Sequence, residues 1–144
     1  MFTKILVPTD GSDLSIKAAR GAVQMAQRLN ARIVALTVVE PYAYTTLSEY
    51  RPEPAGEYEQ RVEAIARERL APIEADAKAA NVPIETTVAR SFSPYEAIID
   101  VAKRRQCDVI FMASHGRKGL SAVLLGSETQ KVLTHSNIPV MVYR

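Results

Sequence analysis

Five short apolar runs alternate with four longer segments of helical periodicity, and this alternation restricts the fold more than any other feature of the sequence. An apolar run without interruption is typical of a strand covered on both faces, whereas apolar residues spaced by three and four indicate a helix packed on one side. Strict alternation predicts parallel strands joined by right-handed crossovers. We therefore expect one doubly wound, Rossmann-like α/β sheet with five parallel strands in the order 3-2-1-4-5.

The element boundaries follow from the same patterns. The strands are expected at residues 4–7, 33–39, 84–89, 108–113 and 139–143. Helices are expected to begin near Ser12, after Gly56, at Ser93 with a capping box to Glu96, and at Ser127. Pro72 lies inside the second helical pattern and is expected to kink or break it. The proline-containing stretch 40–56 is predicted to be a long loop.

Composition excludes several classes of protein. A length of 144 residues predicts a single domain, residues 1–144, and 47% hydrophobic residues suffice for a core without disulfides. The net charge of +2 is too balanced for a dedicated nucleic-acid binder. No stretch approaches the ~20 apolar residues that cross a membrane, and the first apolar run is too short for a secretory signal. Together with the lone Cys107, this predicts a cytoplasmic protein that binds neither nucleic acid nor membrane.

The position of a ligand site follows from the fold. In doubly wound sheets, ligands bind beyond the carboxyl ends of the strands, where the strand order reverses. Three segments are expected there, namely 8–10, 38–40 and 113–116.

Glycine and hydroxyl residues are concentrated in the stretch M-A-S-H-G-R-K-G-L-S-A-V-L-L-G-S, residues 112–127. Glycines allow successive backbone N–H groups to approach an anion, and the stretch feeds directly into a helix. A helix N-terminus favours phosphate through its free N–H groups and its dipole. This segment therefore predicts a phosphate-binding loop.

The same segment resembles the nucleotide-binding pattern G-x2-G-x9-G-[ST] of the universal stress protein family. Gly116, Gly126 and Ser127 match the pattern, and Ala113 replaces its first glycine. Resemblance extends to I-L-V-P-T-D-G-S at 5–12, to the helix led by Pro94, and to P-V-M-V-Y at 139–143. It covers almost the whole chain and implies a fold like that of the adenine nucleotide alpha hydrolases.

The resemblance also implies a stress-response module that binds ATP, and it implies roles for individual residues. Pro8, Thr9 and Asp10 would line the nucleoside side, with Asp10 accepting bonds from the ribose, and the backbone of Val38 would meet adenine. Mg²⁺ or Mn²⁺ would be held mainly by phosphate oxygens. The phosphates would be enclosed by Ala113, Ser114, His115, Gly116, Arg117, Lys118, Gly119, Ser127, Glu128 and Thr129. Met112 and Gly126 would also belong to the nucleotide-binding residues.

Structural interpretations stand beside these roles. Asp10 also suits a turn, Ser127 a helix cap, and Arg117 or Lys118 a solvated surface. If the methyl group of Ala113 crowds the phosphates, the chain would instead be a nucleotide-free interaction module. In either case the resemblance implies a homodimer formed through strand 139–143.

Vigorous catalysis is not expected, because neither a G-x-x-x-x-G-K-[ST] nor a G-x-S-x-G motif is present. No catalytic residue is assigned. Glu128 is the only nearby carboxylate that could orient a water for hydrolysis, and its place in a first helical turn suits capping better. We expect ATP hydrolysis to be slow or absent.

Overall fold

A computed structural model describes residues 1–42, 53–117 and 124–144 of the chain. Its strands are β1 (Lys4–Pro8), β2 (Arg32–Val39), β3 (Ile84–Arg90), β4 (Val109–Ala113) and β5 (Val140–Tyr143). Its helices are α1 (Asp13–Leu29), α2 (Ala55–Ala79), α3 (Pro94–Arg104) and α4 (Ser127–His135). All pairings are parallel and the order is β3-β2-β1-β4-β5. The predicted fold class and strand order are confirmed.

Two cores cover the two faces of the sheet. Helices α1 and α2 bury one face, where Ile5, Val7 and Phe111 belong to the larger cluster. Helices α3 and α4 cover the other face, where Leu6, Ile110 and Cys107 are buried. Burial raises the pKa of the Cys107 thiol to about 11, which fits a structural cysteine. None of the helices in the described ranges combines the length and hydropathy needed to span a membrane.

The break considered at Pro72 of α2 and the capping box predicted for α3 are not found, whereas a kink at Pro72 stays a prediction. Helix α2 runs through Pro72 without ending there, because Ile73 and Ala77, which are 1% and 0% exposed, anchor its second half in the core. Ser93 precedes α3 but makes no side-chain capping bond, so the expected capping box is not formed. Of the predicted loop, residues 43–52 lie outside the described ranges.

The start of α1 agrees with expectation. Ser12 is its N-cap, and the Ser12 hydroxyl accepts a hydrogen bond from the Ser15 N–H at 3.3 Å. This cap fixes the turn between β1 and α1.

Strand β4 begins one residue later than expected. Asp108 precedes the strand, and its carboxylate accepts hydrogen bonds from the Thr3 N–H and hydroxyl, both at 2.8 Å.

Candidate functional site

A cavity of about 660 Å³ opens at the carboxyl ends of the central strands. Strands β2 and β3 lie on one side of β1, whereas β4 and β5 lie on its other side. The strand order therefore reverses between β1 and β4. The cavity therefore occupies the place where doubly wound sheets bind ligands. A second cavity of about 740 Å³ lies along β3 between α2 and α3, and it contains none of the residues predicted to bind a ligand.

The predicted site residues come together in the first cavity. All those in the described ranges line it except Ser114, which is 2% exposed. The Ser114 N–H donates to the Tyr143 carbonyl at 2.7 Å, and the Ser114 carbonyl accepts from the Gly126 N–H at 2.7 Å. Ser114 thus joins β5 and the start of α4 to the end of β4. Lys118 and Gly119 lie outside the described residues.

Asp10 links the loop after β1 to the loop after β4. Its Oδ1 accepts from the Ser12 N–H at 3.0 Å, as in a turn, and its Oδ2 accepts from the Arg117 N–H at 2.7 Å. Burial by itself would raise the pKa of the Asp10 carboxyl, but the bonds from Ser12 and Arg117 outweigh it and hold the pKa below its ordinary value. The carboxylate therefore holds two segments of the cavity wall together.

Replacing Asp10 by asparagine should lower the free energy of unfolding at pH 7 by about 1 to 2 kcal/mol, since hydrogen bonds to a charged group are lost. Because the folded pKa of Asp10 is lowered, its extra stability is present above the unfolded pKa of ~3.9 and is lost as pH falls through the folded pKa. The difference in the free energy of unfolding between wild type and Asp10→Asn should therefore become smaller in strong acid. Urea unfolding at pH 7 and at about pH 3 measures it; an equal gap at both pH values would contradict this role.

The Thr9 side chain makes its hydrogen bonds inside the protein, although Thr9 also lines the cavity. It is 6% exposed, and its hydroxyl lies 2.9 Å from the Ser15 hydroxyl and accepts from the Gly11 N–H at 3.1 Å. Its carbonyl accepts from the Thr37 hydroxyl at 2.9 Å. The Thr9 side chain is thus committed to the turn that carries Asp10.

The N-terminus of α4 forms another wall of the cavity. Its N-cap is Gly126, and within the described residues no side chain caps this end. Ser127 is the first helical residue, so its predicted role as the cap is wrong. The Thr129 hydroxyl donates to the Ala113 carbonyl at 2.9 Å and is buried, so the first turn offers an anion its backbone N–H groups and the exposed Ser127 hydroxyl.

Comparison with known proteins identifies the relatives of this chain. The model of the universal stress protein family matches residues 1–144. The chain belongs to this family. The universal stress protein YxiE of Bacillus subtilis is 35% identical over 150 residues, which cover all of both chains.

Solved structures of universal stress proteins share the fold. The hypothetical protein MJ0577 of Methanocaldococcus jannaschii aligns with a TM-score of 0.82 at 26% identity, covering 99% of this chain and 95% of that one. A universal stress protein in complex with cAMP aligns with a TM-score of 0.71, also at 26% identity, covering 99% and 97%.

Ala113 departs from the glycine of the family pattern without visible strain in this universal stress protein. It ends β4 and is 7% exposed, and it belongs to the core cluster on the face covered by α1 and α2. Its φ is not positive; among the described glycines only Gly11, at +79°, has a positive φ. Ala113 therefore packs against the core cluster and also lines the cavity, and the hypothesis that its methyl group crowds a ligand stays a prediction.

Glu128 has a role that the sequence did not reveal. Its Oε2 accepts from the Tyr95 N–H at 2.9 Å, in the first turn of α3, and its Oε1 lies 3.3 Å from Lys131 Nζ. Glu128 thus caps α3 in place of Ser93, which explains why the expected capping box is not needed. Each carboxylate oxygen of Glu128 thus has one described partner, and the bond from Tyr95 ties the side chain to the start of α3.

Arg69 of α2 also lines the cavity and was not predicted. Its Nη1 donates to the Thr37 hydroxyl at 3.3 Å, and its Nε is buried with no acceptor among the described residues. A signal existed in the sequence, because Arg69 follows Ile65 by four residues and Ala66 by three, on the apolar face of a helix. A basic residue on such a face is unusual unless it reaches a partner.

Proposed function

We propose that this universal stress protein binds ATP in the cavity beside β1 and β4, as a regulatory module with slow or no hydrolysis. The observation that carries this proposal is the α4 N-terminus, which has no side-chain cap in the described residues and lines the cavity together with the backbone of Gly116 and Gly126. Free N–H groups at a helix start, next to glycines that expose more backbone, suit a chain of phosphates.

The other end of the cavity suits a nucleoside. Pro8, Val38 and Met112 give it an apolar lining at the ends of three adjacent strands, against which an adenine ring would lie. Each oxygen of the Asp10 carboxylate has one described bond, and a carboxylate oxygen can accept a second one, from a ribose hydroxyl. The relative in complex with cAMP supports an adenine nucleotide as the class of ligand.

A divalent cation would accompany the nucleotide in this proposal. The described residues contain no group of three or more His, Cys, Asp or Glu side chains able to hold a metal by themselves. Mg²⁺ commonly binds through phosphate oxygens and water with few protein ligands, and such a cation fits the site. Mg²⁺ or Mn²⁺ would neutralise phosphate charge there.

The test is to denature purified protein and look for released adenine nucleotide by chromatography, and then to titrate the emptied protein with ATP by calorimetry. We expect ATP to bind, and the Gly56→Ala variant to bind equally well, because a Cβ on Gly56 meets nothing within 4 Å. Phosphate release should stay far below the typical enzyme turnover of ~10 s⁻¹, since Glu128, the carboxylate considered for orienting a water, is tied to the start of α3. No heat of ATP binding at millimolar concentration would refute the proposal.

The proposal also includes a homodimer and a cytoplasmic location. Strand β5 lies at one edge of the sheet, and Met141 on it is 39% exposed. An uncovered edge strand can pair with a second copy, so we propose a homodimer formed through β5 in the cytoplasm. Sedimentation equilibrium of the purified chain would show a monomer if this were wrong.

A further inference from the structure

Two guanidinium groups meet at the turn between β1 and α1. A Cβ placed on Gly11 would lie 2.9 Å from Arg69 Cγ and 3.0 Å from Arg117 Nη2, so both side chains pack on this glycine. Arg69 comes from the middle of α2, whereas Arg117 follows β4. Arg117 is held there by its Nε, which donates to the Asp10 carbonyl at 2.8 Å.

Within the described ranges, few negative charges face these two arginines. Burial lowers the pKa of the Arg69 guanidinium, and the nearby charge of Arg117 lowers it further, while Asp10 and Glu68 act in the opposite direction. The Asp10 carboxylate already accepts bonds from two backbone N–H groups. The buried Arg69 Nε has no acceptor within the described ranges. A buried donor without a partner costs free energy, and two neighbouring guanidinium charges repel each other. An anion bound beside the two arginines would offset this repulsion.

We infer that Arg69 and Arg117 form a subsite for a phosphoryl group beside Gly11, so that Arg69, outside the 113–129 segment, helps to select phosphorylated ligands. Guanidinium groups present paired N–H donors that match phosphate oxygens. The inference rests on the proposed function, because the phosphoryl group would belong to the nucleotide held in the same cavity. The subsite therefore acts on the phosphate part of the ligand and not on its base.

The test compares adenosine, ATP and inorganic tripolyphosphate by calorimetry. Arg69→Gln should weaken ATP binding about tenfold, as expected for the loss of a charged hydrogen bond, and leave adenosine affinity within about twofold. Arg69→Lys should recover part of the loss, since it keeps the charge but not the paired donors. Arg67→Gln is the matched control: it removes the same charge from the same helix, where the side chain is 80% exposed.

Each outcome is informative. Equal weakening of ATP and adenosine in Arg69→Gln would mean that Arg69 only shapes the cavity, and the inference would be overturned. Unchanged ATP affinity in that variant would overturn it as well. If wild type bound tripolyphosphate through Arg69 but did not bind ATP or adenosine, the proposed nucleotide function would fail while the phosphoryl subsite would stand.

Discussion

Gly116→Ala should weaken ATP binding by about tenfold to a hundredfold, or ~1.4 to 2.7 kcal/mol. A Cβ at position 116 would lie 2.3 Å from Asp10 Oδ2, a distance that real contacts do not reach. The carboxylate would have to move, and its bond from the Arg117 N–H at 2.7 Å would be lost. This bond joins two loops of the cavity wall. Its loss would therefore change the positions of the groups proposed to bind the ribose and of those proposed to bind the phosphates.

Calorimetry with ATP measures the loss, and thermal unfolding shows whether the rest of the fold survives. The Gly56→Ala variant controls for the general effect of replacing glycine, because its new Cβ has open space. ATP affinity within threefold of wild type in a folded Gly116→Ala protein would show that the Asp10 contact does not shape the site.

Gly126→Val should abolish measurable ATP binding and also lower stability. A Cβ at position 126 would lie 3.0 Å from His115 Cα and 3.3 Å from the Ser114 carbonyl oxygen. These neighbours are backbone atoms, which cannot rotate away as a side chain can. Valine would push the loop from the start of α4, break the bond from the Gly126 N–H to Ser114, and cost about 1 to 3 kcal/mol in addition to the lost site.

Urea unfolding and ATP titration of the same samples separate the two effects. Gly126→Ala is the graded comparison, since its single methyl group demands a shift of only a few tenths of an ångström. We expect it to retain more affinity than the valine variant. If both variants bound ATP like wild type, the α4 N-terminus would not be the phosphate site.

The positions and parallel direction of the strands were predictable from local patterns, whereas their order followed from the expected fold. Buried parallel strands leave apolar runs such as 109–113, and Ser12 before α1 marks a helix start. The break considered at Pro72 does not occur, because the effect of proline depends on tertiary packing, and Ile73 and Ala77 hold the rest of α2 in place. The missing capping box of α3 had a similar cause, since Glu128 supplies the cap from another helix.

The site was predictable to the extent that one continuous segment forms it. Gly116 and Gly126 lie where the motif implies, on the cavity beyond β4. The contacts between distant segments were not predictable, because spacing along the chain carries no information about them. Arg69 and Arg117 both lie against Gly11, and this proximity depends on how α2 packs on the sheet. The side to which Ala113 directs its methyl group likewise required the three-dimensional arrangement of β4.

The central position of β1 has a consequence for how the chain acquires its site. β1 is made first, yet one of its two neighbours is β4, and the bond between Arg117 and Asp10 spans 107 residues. Pairing over such a distance carries a loop-closure cost, and contacts of this kind form slowly. During synthesis, the edge of β1 that pairs with β4 therefore stays unpaired until β4 has been synthesised. The bond between Asp10 and Arg117 forms only then, so this part of the cavity wall depends on a contact between segments far apart in the chain.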